Sequence, residues 1–197
     1  MNLLPNAKML LDAIEVANEQ HAGQKRKGSG DPYVTHTIAV SYLVAAFKRS
    51  SKLVELIVAA ILHDVFEDGD ITFEELARRF SPLVASLVLE LSNDEQKMAL
   101  MGKLDYQTKK LLGMSSYALV IKLCDRLHNV SDNPSEKMVA DTLVLMKRLR
   151  KGRKLSRTQL ELVDAIEQMC REKSSIDVET RSLANLVGSN CGIIATA

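Results

Sequence analysis

The sequence predicts an all-α protein, and three observations carry that reading. Apolar residues recur at helical spacing, with Leu10, Ile14, Ala17 and His21 forming the first such stripe. No segment alternates apolar and polar residues between turn signals, as a half-buried strand would. Helix-start signals recur along the chain: Thr72-x-x-Glu75 and Ser156-x-x-Gln159 are capping boxes, and Ser81-Pro82 places a cap before a first-turn proline.

The elements follow in order. A helix is expected from Asn6 to Gln20, then a loop from His21 to Tyr33 with three glycines, a proline and three consecutive basic residues. Helices follow over Val34–Arg49 and, as one buried element, Lys52–Phe66. Asp68–Asp70 reads as a turn, the Thr72 box opens a helix to Phe80, and Ser81 caps another to Leu91. Asn93–Lys103 is ambiguous. Helices over Leu104–Leu112 and Ser116–Val130 precede a break at Asp132-Asn-Pro134. Ser135–Arg150 and Ser156–Lys173 complete the set. Residues 1–173 are read as one domain, and 174–197 as a tail of mixed composition that is disordered or docks on the domain or a partner.

Composition excludes several classes. The 197 residues are 46% hydrophobic but only 4% aromatic, without tryptophan, so the core is aliphatic. Twenty-six basic and 25 acidic residues leave a net charge of +1, which gives no nucleic-acid signature. Cys124, Cys170 and Cys191 show no metal or disulfide spacing and suit a reducing cytoplasm. No signal-peptide pattern or membrane-length apolar run is present. The expectation is a soluble cytoplasmic protein with no membrane or nucleic-acid partner; a homo-oligomer is compatible with the sequence.

The chemistry concentrates in A-A-I-L-H-D-V-F-E-D, Ala59–Asp68. An apolar run leads directly into His63-Asp64, and polar groups that deep are costly unless something satisfies them. If the helix continues, His63 and Glu67 are spaced i, i+4, as are Asp64 and Asp68, so all four project to one end of one surface. The plain alternative is a helix end carrying solvated acids. His36 starts a helix and Asp125 interrupts the apolar run V-I-K-L-C-D-R-L-H-N-V. Taken singly, His36 is a structural histidine, and Asp125 is a partner of Lys122 or Arg126. Taken together, His36, His63, Asp64 and Asp125 offer two nitrogens and two carboxylates, a set suited to Mn²⁺, with Fe²⁺, Ni²⁺, Co²⁺ or Zn²⁺ as alternatives. His21 reads as structural, and His128, one turn from Asp125, as packed or supporting. The seven basic residues between Lys147 and Arg157 read as a solvated helix end, with attraction of an anionic nucleotide as the alternative.

The order H…HD…D resembles the signature of the HD phosphohydrolase superfamily. H-A-G-Q-K-R-K, G-D-P-Y-V-T-H, A-A-I-L-H-D-V-F-E-D, T-F-E-E-L, V-I-K-L-C-D-R-L-H-N-V and R-K-L-S-R-T-Q resemble, in order, the hydrolase domain of RelA/SpoT-type alarmone enzymes and their stand-alone small relatives, across residues 7–173. The resemblance implies a multi-helix bundle around a single metal site and Mn²⁺-dependent removal of the 3′-pyrophosphate from guanosine 3′,5′-bis(diphosphate). It makes His36, His63, Asp64 and Asp125 the metal ligands and Glu67 and Asp68 the catalytic acid pair. Arg26 and Lys27 match the basic pair that packs on the base and lies near the phosphates, Asn129 matches a nucleoside contact, and Tyr33 lies in the matching loop. No histidine stands between Asp64 and Asp125, which favours one metal over two.

Two departures bear on the nucleotide. R-K-G-S-G-D-P-Y is one residue longer than the family's usual loop, leaving Arg26 and Lys27 both as stacking candidates. After Asn129 the chain reads V-S-D-N-P where the family often has a Met-Arg-Thr continuation. The chain ends before a synthetase domain could begin, so the expected activity is hydrolysis alone. An HD hydrolase of another nucleotide and a non-catalytic HD binding module are the rival readings, the latter having no need of Glu67-Asp68.

Overall fold

The computed structural model describes residues 4–190 except Gly28 and Gly69, with the side chains of Asp68 and of residues 175–190 outside the description. The helices are α1 (Leu4–Gln20), α2 (Val34–Phe47), α3 (Leu53–Ile61), α4 (Val65–Asp68), α5 (Phe73–Arg79), α6 (Pro82–Leu91), α7 (Glu95–Met101), α8 (Lys103–Gly113), α9 (Ser116–Ser131), α10 (Glu136–Gly152) and α11 (Arg157–Asn190). Among the described residues the β pairing is a single bridge between Lys25 and Pro32. The all-α expectation holds.

Helices α3 and α9 occupy the centre. α3 packs on α1, α2 and α6, while α9 packs on α2, α6 and α11. The aliphatic run in α3 buries Leu56, Val58, Ala59, Ala60 and Ile61, and α9 buries Leu119, Val120, Ile121, Leu123 and Cys124. Truncating Leu119 or Leu123, neither with any exposed surface, to Ala is expected to cost about 2–5 kcal/mol. Cys124 and Cys170 are buried and unpaired. Among the described residues no helix is long and apolar enough to cross a membrane.

Helix starts follow the local chemistry. Thr72 Oγ1 accepts the Glu75 N–H at 3.2 Å and Ser81 Oγ accepts that of Val84 at 3.1 Å. Both halves of the Ser156–Gln159 box form: Ser156 Oγ accepts the Gln159 N–H, and Gln159 Oε1 accepts the Ser156 N–H at 2.9 Å. The ambiguous stretch 93–103 resolves into α7, capped by Asp94 on the Lys97 N–H, and a turn at Gly102 with φ +79 that a side chain would strain.

Three expectations change. The element over Lys52–Phe66 is not one helix: α3 stops at Ile61 and α4 begins at Val65. Leu62 leaves helical geometry at φ −101, ψ 7, and the Glu67 N–H turns back to the Asp64 carbonyl at 2.9 Å. The break lets Ile61, Leu62, His63, Asp64 and Val65 all be buried, which a straight helix packed on one face could not do. His63 and Glu67 therefore do not share consecutive turns of one helix. Next, the last helix continues past Lys173 to Asn190, so the expected change of character at Ser174 is no helix end. Disorder or docking of 174–197 concerns side chains and termini outside the described residues. Finally, the basic run is not simply solvated. Arg148 pairs with Asp105, Arg150 with Asp164 and Glu167, and Arg153 caps the carbonyls of Leu111, Leu112 and Met114.

Candidate active site

Three elements bring the expected metal-ligating groups together. The first turn of α2 supplies His36, the α3–α4 break supplies His63 and Asp64, and the middle of α9 supplies Asp125. One ligand atom each from His36, His63 and Asp125 lies within 4.8 Å of the other two. His36 Nε2 is 3.3 Å and His63 Nε2 3.8 Å from Asp125 Oδ1. Asp64 stands beside this triad, its Oδ2 3.0 Å from His63 Nε2.

The tautomer of His63 follows from its partner. A carbonyl only accepts, so Nδ1, 2.8 Å from the Ala60 oxygen, carries a proton. Nε2 is then the nitrogen left to face a cation, and it offers a lone pair once its proton is displaced, as metal binding does. That atom is fully buried and makes no hydrogen bond, despite the nearby Asp64 carboxylate. A buried polar atom left unmatched costs about 1–3 kcal/mol, and a cation among His36, His63 and Asp125 would match it. His36 is held similarly: its Nδ1 meets His128 Nδ1 at 2.9 Å, leaving Nε2 for Asp125. His128 thus supports a site histidine.

Asp125 is divided between two neighbours. Its Oδ2 lies 2.9 Å from Lys122 Nζ, while Oδ1 faces the histidines and accepts from Asn129 Nδ2 at 2.5 Å. The Lys122–Asp125 pair, weighed from the sequence as a surface alternative, is real and almost buried, with the metal-type cluster on its other side. Lys122 was otherwise missed; its signal was a second charge one turn before Asp125 in an apolar run.

The charges of the cluster balance one another. Burial opposes charge on His63, but Asp64 and Asp125 outweigh it and raise the imidazole to about 9. Burial likewise favours protonated carboxyls, yet His63 lowers Asp64, and Lys122 with His36 holds Asp125 well below the carboxylate range. His36 is lowered, chiefly by burial.

Around this centre, Tyr33 donates its hydroxyl to Asp64 Oδ2 at 2.7 Å; burial and Asp64 raise the phenol. Glu67, on α4 at the rim, accepts the Asn93 N–H at 2.7 Å. Partial burial of its carboxyl and the Asp64 charge raise its pKa. The Asp68 side chain lies outside the described residues. Arg26 donates from Nη2 to Asn129 Oδ1 at 2.9 Å and lies 5.8 Å from the Tyr33 ring centroid. Lys27 is exposed and makes no hydrogen bond among the described residues. The Lys25–Pro32 bridge and the Arg26 N–H to Asp31 carbonyl bond close the base of the loop, and Gly30 sits at φ +78. His21 is buried against Gln24, its Nδ1 3.0 Å from Oε1, and stacks near Tyr33, a structural role as expected.

Fold and site together define a helical protein with a buried histidine–carboxylate centre able to hold a divalent metal. Residues 13–145 match the HD domain family model, and the chain belongs to that family. It is 34% identical over 125 residues to the zebrafish (Danio rerio) guanosine-3′,5′-bis(diphosphate) 3′-pyrophosphohydrolase MESH1, covering 63% of this chain and 68% of that protein. It is 35% identical over 134 residues to the enzyme of the same activity name from Aquifex aeolicus, covering 64% of this chain and 18% of the relative. To a Streptomyces coelicolor GTP pyrophosphokinase it is 38% identical over 121 residues, 60% of this chain and 14% of that protein. The chain thus spans under a fifth of these two bacterial relatives. Among solved structures it is similar to a metazoan ortholog of SpoT that hydrolyses ppGpp, with TM-score 0.68 and 26% identity over 84% of this chain and 95% of that one.

Proposed function

We propose that this chain is a cytoplasmic, manganese-dependent hydrolase of guanosine 3′,5′-bis(diphosphate), with residues 1–173 as the catalytic domain. The observation that carries the reading is the unbonded, buried His63 Nε2 facing Asp125, with Glu67 at the rim. The names of relatives over most of the matched length support the substrate. His36, His63, Asp64 and Asp125 would hold the ion, which when bound supplies charge stabilisation at phosphate oxygens and acidifies water. Glu67, whose raised pKa suits proton exchange, takes a proton from the attacking water. The water oxygen bonds to the phosphorus next to the 3′ oxygen, the 3′ O–P bond breaks, and that oxygen receives the proton. Pyrophosphate and GDP or GTP result. Asp68 is proposed as the second acid, with Arg26, Asn129 and Tyr33 on the nucleotide side and Lys27 nearer solvent.

A second reading, an HD hydrolase of another phosphorylated nucleotide, is favoured by one feature: Asp132 places a carboxylate on Arg26. Hydrolysis of a nucleotide panel with Mn²⁺, with products identified by mass, separates the two. Pyrophosphate released in one step from the 3′ position is expected. Successive single phosphates, or faster hydrolysis of 5′-triphosphates, would establish the second reading instead.

A further inference from the structure

We propose that Asp132 is a positioning residue that anchors the Arg26 guanidinium as a fixed, charge-compensated plane on the nucleotide side of the site. The inference rests on reading this face as the nucleotide pocket. It concerns the segment where the chain departs from the family's usual sequence.

The geometry is specific. Arg26 Nε and Nη2 both donate to Asp132 Oδ2, at 3.0 and 2.9 Å. The same Nη2 reaches Asn129 Oδ1. The Tyr33 ring lies against the guanidinium from another direction. Among the described residues Nη1 makes no hydrogen bond, so its pair of donors is uncommitted. The side chains of Arg26 and Asp132 are only 13% and 21% exposed, so the pair is far less screened than a surface salt bridge. Two further bonds tie the plane to the metal-type centre: Asn129 donates to Asp125, and Tyr33 to Asp64.

Asp132 can serve as an anchor because the chain fixes it. It closes α9, its N–H bonded to the His128 carbonyl at 3.1 Å. Asn133 follows at φ 48, a left-handed position asparagine tolerates, then Pro134, then Ser135, whose hydroxyl accepts the Met138 N–H to start α10. Asp132-Asn133-Pro134 is thus a helix–helix turn whose aspartate points back at the loop carrying Arg26.

The consequence is a division of labour. An arginine already paired with a carboxylate adds little attraction for a distant phosphate, but its plane and free Nη1 donors are held ready for a planar group such as a base. Ordering it in advance removes a rotamer cost from substrate binding. Asp132 therefore acts on affinity through Arg26 and leaves the metal alone.

The test compares Asp132→Ala, Asp132→Asn, Arg26→Ala and the Asp132→Ala/Arg26→Ala double variant, using whichever nucleotide the panel shows to be turned over. Asp132→Ala should raise KM about tenfold with kcat within about twofold, because a ground-state positioning contact is lost, and leave metal content unchanged. Asp132→Asn, which keeps an acceptor oxygen, should fall between wild type and Asp132→Ala. The double variant should be no worse than Arg26→Ala alone, since the two residues act as one unit. Independently of substrate, the Arg26 Nε–H resonance should be protected from exchange in the wild type and lose that protection in Asp132→Ala. An unchanged KM, an additive double variant, a fall in kcat matching the rise in KM, or an Nε–H unaffected by Asp132→Ala would each overturn the proposal. If no nucleotide is turned over, the nucleotide reading falls, while the Nε–H signal still decides the anchoring.

Discussion

On one side of the site, His36, His63, Asp64 and Asp125 are between 0 and 6% exposed and are delivered by packed helices and a buried break. On the other, Arg26 comes from a hairpin-like loop and Asp132 from the turn between α9 and α10. The first side is fixed by the aliphatic core: α2, α3 and α9 must pack where they do for Leu56, Val120 and Ile121 to be buried, and the ligand-type groups come with them. The second side is fixed by polar contacts alone, the chain Asp132–Arg26–Asn129–Asp125. Packing tolerates few alternatives, whereas a polar network carried on a loop and a turn changes with one residue. Chemistry is therefore expected to be robust on the first side, and selectivity to be tunable on the second.

The sharpest break of this contrast is removal of a buried group. His63→Ala or Asp125→Ala should reduce metal content to background and abolish turnover; Asp125→Ala also leaves Lys122 as a buried charge without its carboxylate, so it should be the less stable variant. Elemental analysis and thermal unfolding check both parts. Full metal occupancy in either variant would remove that residue from the ligand set.

Next in size is the rim. Glu67→Gln should keep metal and fold, because Glu67 is not a proposed ligand and the amide oxygen can still accept the Asn93 N–H, yet lose about 10²–10⁴-fold in kcat as a lost general acid–base group does. Its titration gives an independent check. In the metal-free protein the Glu67 carboxyl should titrate above the ordinary 4.5, because burial and then the Asp64 charge disfavour its ionised form. Carbon NMR reads this directly, and Asp64→Asn should move the midpoint down. A midpoint at or below the ordinary value would remove the argument that Glu67 is tuned for proton exchange.

The same contrast explains which features are local to the sequence. The helix starts at Thr72, Ser81 and Ser156 were legible because capping is local, requiring only a hydroxyl and the next three residues. The convergence of His36, His63 and Asp125 was legible because buried polar residues in apolar runs need partners, and few were available. The break at Leu62 was not, since it is imposed by packing on both faces of Ile61–Val65 rather than by a glycine or proline. Lys122 and Asp132 were invisible as site residues for a different reason. Lys122 could be read as an i, i+3 partner of Asp125, but only tertiary placement shows that pair nearly buried against the histidines, and only tertiary placement puts Arg26 beside Asp132. The arginines after Lys147 show the converse: a run of like charges looked solvated, and separate elements supplied their partners.

The smallest predicted effect separates two adjacent residues that the sequence alone left equivalent. Arg26 faces inward on Tyr33 and Asn129, while Lys27 is exposed on the loop. Arg26→Ala removes the plane, its link to Asn129 and the partner of Asp132, so KM should rise about tenfold with a smaller change in kcat, the pattern of a group that binds ground and transition states alike. Lys27→Ala removes only a solvated charge near an anionic substrate, so its effect should stay within about twofold and shrink further as salt is raised. Measuring both at low and high ionic strength distinguishes contact from long-range attraction. A large, salt-insensitive effect at Lys27 together with a small one at Arg26 would mean that the loop reverses which side chain meets the nucleotide when substrate binds. The nucleotide side would then be assembled by the ligand, whereas the metal side stands ready beforehand.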